Sequence, residues 1–99
     1  MQSTMNQENG VLRLAVSGRL DTVTSAELTE KLDEIDYENV DIEFDFTEVE
    51  YISSAGLRLV IALQKQTTET GNKLVIKNIN KVVAEVFKVS GLNKVLTIV

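Results

Sequence analysis

Between Val40 and Phe46 the chain reads VDIEFDF, with four apolar residues and three acids in strict alternation. No helix can use that pattern. A period of two sends Val40, Ile42, Phe44 and Phe46 to one side of a strand, and Asp41, Glu43 and Asp45 to the other. The stretch therefore predicts a strand over 40–46 in a sheet that buries one face and gives the other, acidic face to water. Whatever covers the apolar face must come from the rest of the chain.

The flanking sequence supplies it. VLRLAVSG (11–18) alternates in the same way, with Leu12, Leu14 and Val16 on its apolar side. Residues 2–6 are a further short candidate strand before a turn at Glu8-Asn9-Gly10. Leu28, Leu32 and Ile35 recur at helical spacing. They predict a first helix over about 24–36, opened by a Thr24/Glu27 capping box and a Val23–Leu28 staple. A second helix is expected over about 54–70, apolar in its first half, polar in its second and stopped at Gly71. LVIKN (74–78) reads as a strand. KVVAEVFKVSG (81–91) reads as a third helix with Val82, Val83, Val86 and Phe87 on one face, and VLTIV (95–99) as a closing strand. Strands alternating with helices predict an α/β fold with substantial parallel pairing. The acids of 40–46 predict that the helices lie mainly on one face. Ninety-nine residues are one domain's worth, so residues 1–99 are expected to share one core.

Composition limits the chemistry. The chain has no histidine and no cysteine. Ser-His-Asp and Cys-His catalysis, thiolate or imidazole metal sites and disulfides are therefore unavailable. Any catalysis would have to rest on carboxylates, lysines and hydroxyls, with Asp21 or Asp45 as the candidate carboxylates. A net charge of −5 opposes nonspecific attraction to nucleic acid and anionic membranes. The apolar run around Leu57–Leu63 contains Arg58 and falls far short of the ~20 residues of a membrane span. The first ten residues have neither the basic nor the apolar region of a signal peptide, so the cytoplasm is the expected location.

One short stretch does not fit a purely structural reading. In EYISSAGLRL (50–59) two serines and a glycine stand at the mouth of the second helix. They do not form a nucleophile elbow, because Ile52 and Tyr51 occupy the positions where G-x-S-x-G needs glycine. No phosphate-binding loop or dinucleotide fingerprint occurs. A receiver domain with Asp45 as acceptor would need an acidic pair after its first strand, where Ser17-Gly18-Arg19 stands. A helix cap explains the serines on spacing alone. Yet neither has Glu or Gln three residues later, and Arg58 lies near an end where the helix dipole disfavours a cation. Ser54 and Arg58 are four apart and share a helix face. An anion on Ser54 would meet free amides, the positive dipole end and a guanidinium.

SGRLD (17–21), DFTEVEYISSAGLRLVI (45–61) and SGLNKVLTI (90–98) occur in this order with compatible spacing. Together they resemble the stand-alone STAS domains of the bacterial anti-sigma factor antagonist family over nearly the whole chain. The resemblance implies a STAS-like mixed sheet of about four or five strands. It also implies a regulator without catalytic residues, metal or cofactor. In its unphosphorylated form such a regulator sequesters an anti-sigma factor that is also a serine kinase, and so releases a sigma factor. A metal-dependent serine phosphatase reverses the phosphorylation. By alignment the acceptor is Ser54, with Ser53 as second candidate. The family often carries Asp just before the acceptor and Ser or Thr just after it, where this chain has Ser53 and Ala55. Asp21, Thr22, Ser53, Ser54, Ala55, Gly56 and Arg58 are the implied partner-facing residues. The same fold could also serve as an unphosphorylated docking subunit of a membrane transport or other signalling complex.

Overall fold

The computed structural model describes residues 2–99, with elements in the order β1 (Gln2–Glu8), β2 (Val11–Leu20), α1 (Thr22–Leu32), β3 (Asp41–Ile52), α2 (Ser54–Glu69), β4 (Leu74–Lys77), α3 (Lys81–Ser90), a 3-10 turn (Leu92–Lys94) and β5 (Thr97–Ile98). The five strands form one mixed sheet in sequence order, with β1 antiparallel to β2 and every later pair parallel. β1 is longer than the 2–6 expected. It reaches Glu8, which pairs with Val11 across the two-residue turn Asn9-Gly10. Both turn residues have positive φ, 53° and 78°, as a type I′ hairpin requires.

All three helices pack on the face that carries Leu12, Leu14, Ile42, Phe44, Phe46 and Ile76, each essentially excluded from water. Phe46 joins sheet to helix layer: Phe44 meets it edge-on at 4.7 Å, and Phe87 of α3 lies 6.1 Å away. The one-sided cover expected from the acids of 40–46 is present. The opposite face is more than a solvated acidic row, however. Glu43 of β3 receives Arg13 of β2 at 3.0 Å and Lys77 of β4 at 2.6 Å, which ties three strands together across their pleats. The hydrogen bond from Lys77 is the main reason the Glu43 carboxyl sits below its ordinary pKa.

Several elements differ from the sequence expectation. β3 does not end at Phe46 but runs on to Ile52. Against β2 it twice uses an extra residue, once between Asp45 and Glu48 and once between Val49 and Tyr51. Asp45 holds the first irregularity by accepting the Thr47 N–H at 2.9 Å and its hydroxyl at 2.6 Å. α1 begins at Thr22 and ends at Leu32, two residues earlier and four residues earlier than expected. The capping box is Asp21 with Thr24, not Thr24 with Glu27, and Val23 is 66% exposed, so no staple forms. In α3, Val83 and Phe87 are buried and Val86 packs partly against the core, whereas Val82 lies on the outer side of that stripe and is 53% exposed. The closing strand shrinks to Thr97–Ile98 because Gly91, with φ 79°, leads into the 3-10 turn. The expected stop of α2 is present. Gly71 (φ 76°) and Asn72 donate N–H to Thr68 O and Thr67 O at 3.1 and 2.7 Å, a Schellman motif.

Candidate functional site

β2, β3 and β4 are parallel and each feeds a helix, so α1, α2 and α3 all begin at one edge of the sheet. That edge, beyond the carboxyl ends of parallel strands, is where α/β folds gather their binding residues. The register makes the placement specific. Leu20 pairs with Ile52 at the ends of β2 and β3. The next residues, Asp21 and Ser53, are therefore neighbouring helix caps, and Thr22 and Ser54 are the first residues of neighbouring helices.

The α1 entrance is closed. The Asp21 carboxylate accepts the Val23 and Thr24 N–H groups, each at 3.1 Å. The Thr24 hydroxyl returns to accept the Asp21 N–H at 2.9 Å while donating to Arg19 O at 2.7 Å. The bond from the Thr24 amide chiefly holds the Asp21 carboxyl below its ordinary pKa. Partial burial opposes that shift, and the Thr24 hydroxyl, the Val23 amide and the Arg19 charge add to it.

At the α2 entrance the two serines divide the work. Ser53 is half-buried and fully engaged. Its amide and hydroxyl both donate to Leu20 O, at 2.9 and 3.2 Å, while the hydroxyl accepts the Gly56 N–H at 3.3 Å. Ser54 is exposed at the first helical position, and its hydroxyl has no hydrogen-bond partner among the described residues. The cap expected at one of the two serines is thus Ser53. Arg58 is exposed one turn beyond Ser54, and Ala55 is half-buried toward α1.

Gly56 is buried and faces inward rather than outward. A Cβ on it would lie 2.7 Å from Leu20 O and 2.6 Å from Ile52 Cγ1, so α2 can approach the end of β2 only if this residue has no side chain. Its place among the candidates is that of a positioning residue. Two neighbours were not singled out from the sequence. The exposed Arg19 guanidinium stacks 4.6 Å above the Tyr51 ring, adding a second cation to this edge. Asn80 caps α3 through Val83 N–H at 2.8 Å and ties it to Val49 O at 2.9 Å. The cross-strand register that brings Arg19 to Tyr51 depends on the β3 irregularities, which leave no sequence signature.

No cluster of three or more potential metal ligands occurs among the described residues, and none of their helices is long and apolar enough to cross a membrane.

Residues 3–98 match the family described as "Mlab, STAS domain". The chain belongs to the STAS domain family. The anti-sigma factor antagonist named BtrV of Bordetella bronchiseptica is similar to this STAS domain, with 32% identity over 92 residues, covering 92% of this chain and 79% of that protein. The anti-sigma-B factor antagonist of Bacillus subtilis is 22% identical over 94 residues, covering 95% of this chain and 86% of its own. Among solved structures, the Bacillus anti-sigma factor antagonist SpoIIAA in its unphosphorylated form superposes with a TM-score of 0.84 at 18% identity, covering 99% of this chain and 88% of that one. Its phosphorylated form gives 0.77 at 17% identity, covering 99% and 91%. The mixed five-stranded sheet with three helices is thus the STAS fold.

Proposed function

We propose that this STAS domain is an anti-sigma factor antagonist working as a phosphorylation-controlled binding switch in the cytoplasm. Unphosphorylated, it binds an anti-sigma factor through the edge formed by Asp21, Thr22 and the start of α2, and a sigma factor is released. The anti-sigma factor, acting as a serine kinase, phosphorylates Ser54, and the pair separates. A metal-dependent serine phosphatase removes the group and restores binding. The domain itself performs no chemistry.

The observation that carries this reading is the unequal use of the two serines. Ser53 is consumed by the cap, whereas Ser54 presents a free hydroxyl to solvent beside it. A phosphoryl group on Ser54 therefore disturbs no internal bond. It adds about −1.5 to −2 charge at pH 7, taking the net charge of −5 to roughly −7. The dipole at the helix start favours such an anion by about 0.3–1 kcal/mol, so the fold tolerates it. Across an interface the same charge must be desolvated. A hundredfold loss of affinity corresponds to about 2.8 kcal/mol, within the reach of a single buried charge.

Phosphosite mapping tests the reading. The domain is incubated with ATP, Mg²⁺ and its kinase partner, and the product is fragmented in a mass spectrometer. Phosphate on Ser54 that disappears in Ser54→Ala is the expected result. Phosphate on Ser53, or binding to the same partners without modification of either serine, contradicts it. The second outcome would favour a constitutive docking subunit.

A further inference from the structure

On the other side of α2 from α3, a groove of about 360 Å³ runs between α1 and α2. That volume falls within the roughly 300–1,000 Å³ of small-ligand sites. The groove exists because the facing residues are small. Ala26 and Thr29 of α1 oppose Ala55 and Ala62 of α2, where larger side chains would interdigitate between packed helices. The walls are closed below by Leu59 and Leu63.

Its polar groups are unequally satisfied. The Thr29 hydroxyl donates to Ser25 O at 2.8 Å, and the Tyr37 hydroxyl to Leu32 O at 2.9 Å. Ser25 lines the groove at only 5% exposure, and its Oγ has no partner. A buried hydroxyl without a partner is costly, and it is uncommon unless something else completes it. The ends also differ. Arg58 stands where both helices begin, and Asp33 where α1 ends. α1 and α2 start at the same sheet edge, so their dipoles reinforce the positive potential at the Arg58 end.

We infer that the α1/α2 groove is a binding site for a small amphiphilic anion, whose acidic head lies between Arg58 and Ser25 Oγ and whose apolar body lies along Ala26, Ala55 and Ala62. The site does not depend on the phosphorylation reading, since neither Ser54 nor its phosphate takes part. It places a ligand one helix turn from Ser54, on the flank of the proposed partner surface.

Octanoate is a suitable probe, titrated into isotope-labelled protein below its micelle concentration while backbone amide shifts are followed, with 1-octanol as the uncharged control. Saturable shifts at Ala26, Thr29 and Ala62 are expected, with octanoate binding about tenfold tighter than octanol, a preference that Arg58→Gln abolishes. Ala62→Leu fills the groove and should remove the shifts. Ser25→Ala guards against a folding defect, because it deletes an unpaired hydroxyl. It should raise the thermal midpoint while weakening octanoate severalfold. The inference is overturned by equal binding of acid and alcohol, by shifts confined to the exposed valines of α3, or by no saturation at millimolar octanoate.

Discussion

The two helix entrances at the candidate edge are neighbours with the same backbone plan and opposite electrostatics. At α1 a carboxylate, Asp21, already supplies the negative charge that a helix start favours, and Thr24 closes the box around it. At α2 the cap is a neutral hydroxyl, the next serine is free, and the charge nearest along the helix is the cation Arg58. One entrance is electrostatically complete and the other is short of an anion. The contrast shows how a fold can hold an exposed residue at a helix start without relying on it for stability. The structural duty rests on Ser53 and Gly56, so the proposed phosphorylation of Ser54 would leave the cap and the close approach of α2 intact.

That contrast can be broken most severely at Gly56. Gly56→Ala places a methyl within 2.7 Å of a backbone carbonyl that cannot rotate away. We expect a loss of about 1–3 kcal/mol in urea unfolding, the usual cost of overpacking a closed site. A substitution without effect would mean that α2 does not need its close approach to β2. Ser53→Ala should cost about 1 kcal/mol by the same measurement, since a cap is lost and Leu20 O loses one donor. Ser54→Ala should stay within about 0.5 kcal/mol of wild type, as for an exposed residue with no partner. Equal costs for the two serines would erase the division of labour.

The smallest effect concerns pH. The folded-state pKa of Asp21 is lowered, so its contribution is fully present above the unfolded value of 3.8 and is lost as pH falls through the lower folded value. Asp21→Asn should therefore flatten the acid limb of the stability profile below about pH 4 and leave its neutral-to-alkaline part parallel to wild type. Acid denaturation followed by circular dichroism would read this. Unchanged curvature would assign the acid limb to Glu43 and Asp45 instead, whose carboxyls are also held low.

The sequence displayed the regular parts of this fold because their periods are undisturbed. VDIEFDF, the Gly71 stop and the amphipathic α3 are each local patterns, and each was legible. The second half of β3 was hidden for a physical reason. Its extra residues move the buried positions from Phe46 to Val49 to Ile52, a spacing of three that no alternating pattern contains. The same hidden pairing decided the caps. With Leu20 bonded to Ile52, the first residues free to turn are Asp21 and Ser53, so Thr24 is displaced to the inner half of a box and Ser54 to the helix itself. The resemblance to STAS domains brought Ser54 forward, although cap spacing alone did not separate it from Ser53. Arg19 over Tyr51 and the open α1/α2 groove are products of tertiary register and packing, and no local pattern announces them.

The central claim is that charge at Ser54 controls partner binding without altering the fold. It is tested most directly by measuring the affinity of the purified anti-sigma factor for wild type, Ser54→Ala and Ser54→Asp, with unfolding curves recorded on the same samples. Binding should be nearly unchanged for Ser54→Ala. For Ser54→Asp a loss of about a hundredfold is expected, with a fold at least as stable as wild type because the helix start favours the added charge. Equal affinity for Ser54→Asp and wild type would contradict it and leave Ser54 an ordinary surface serine.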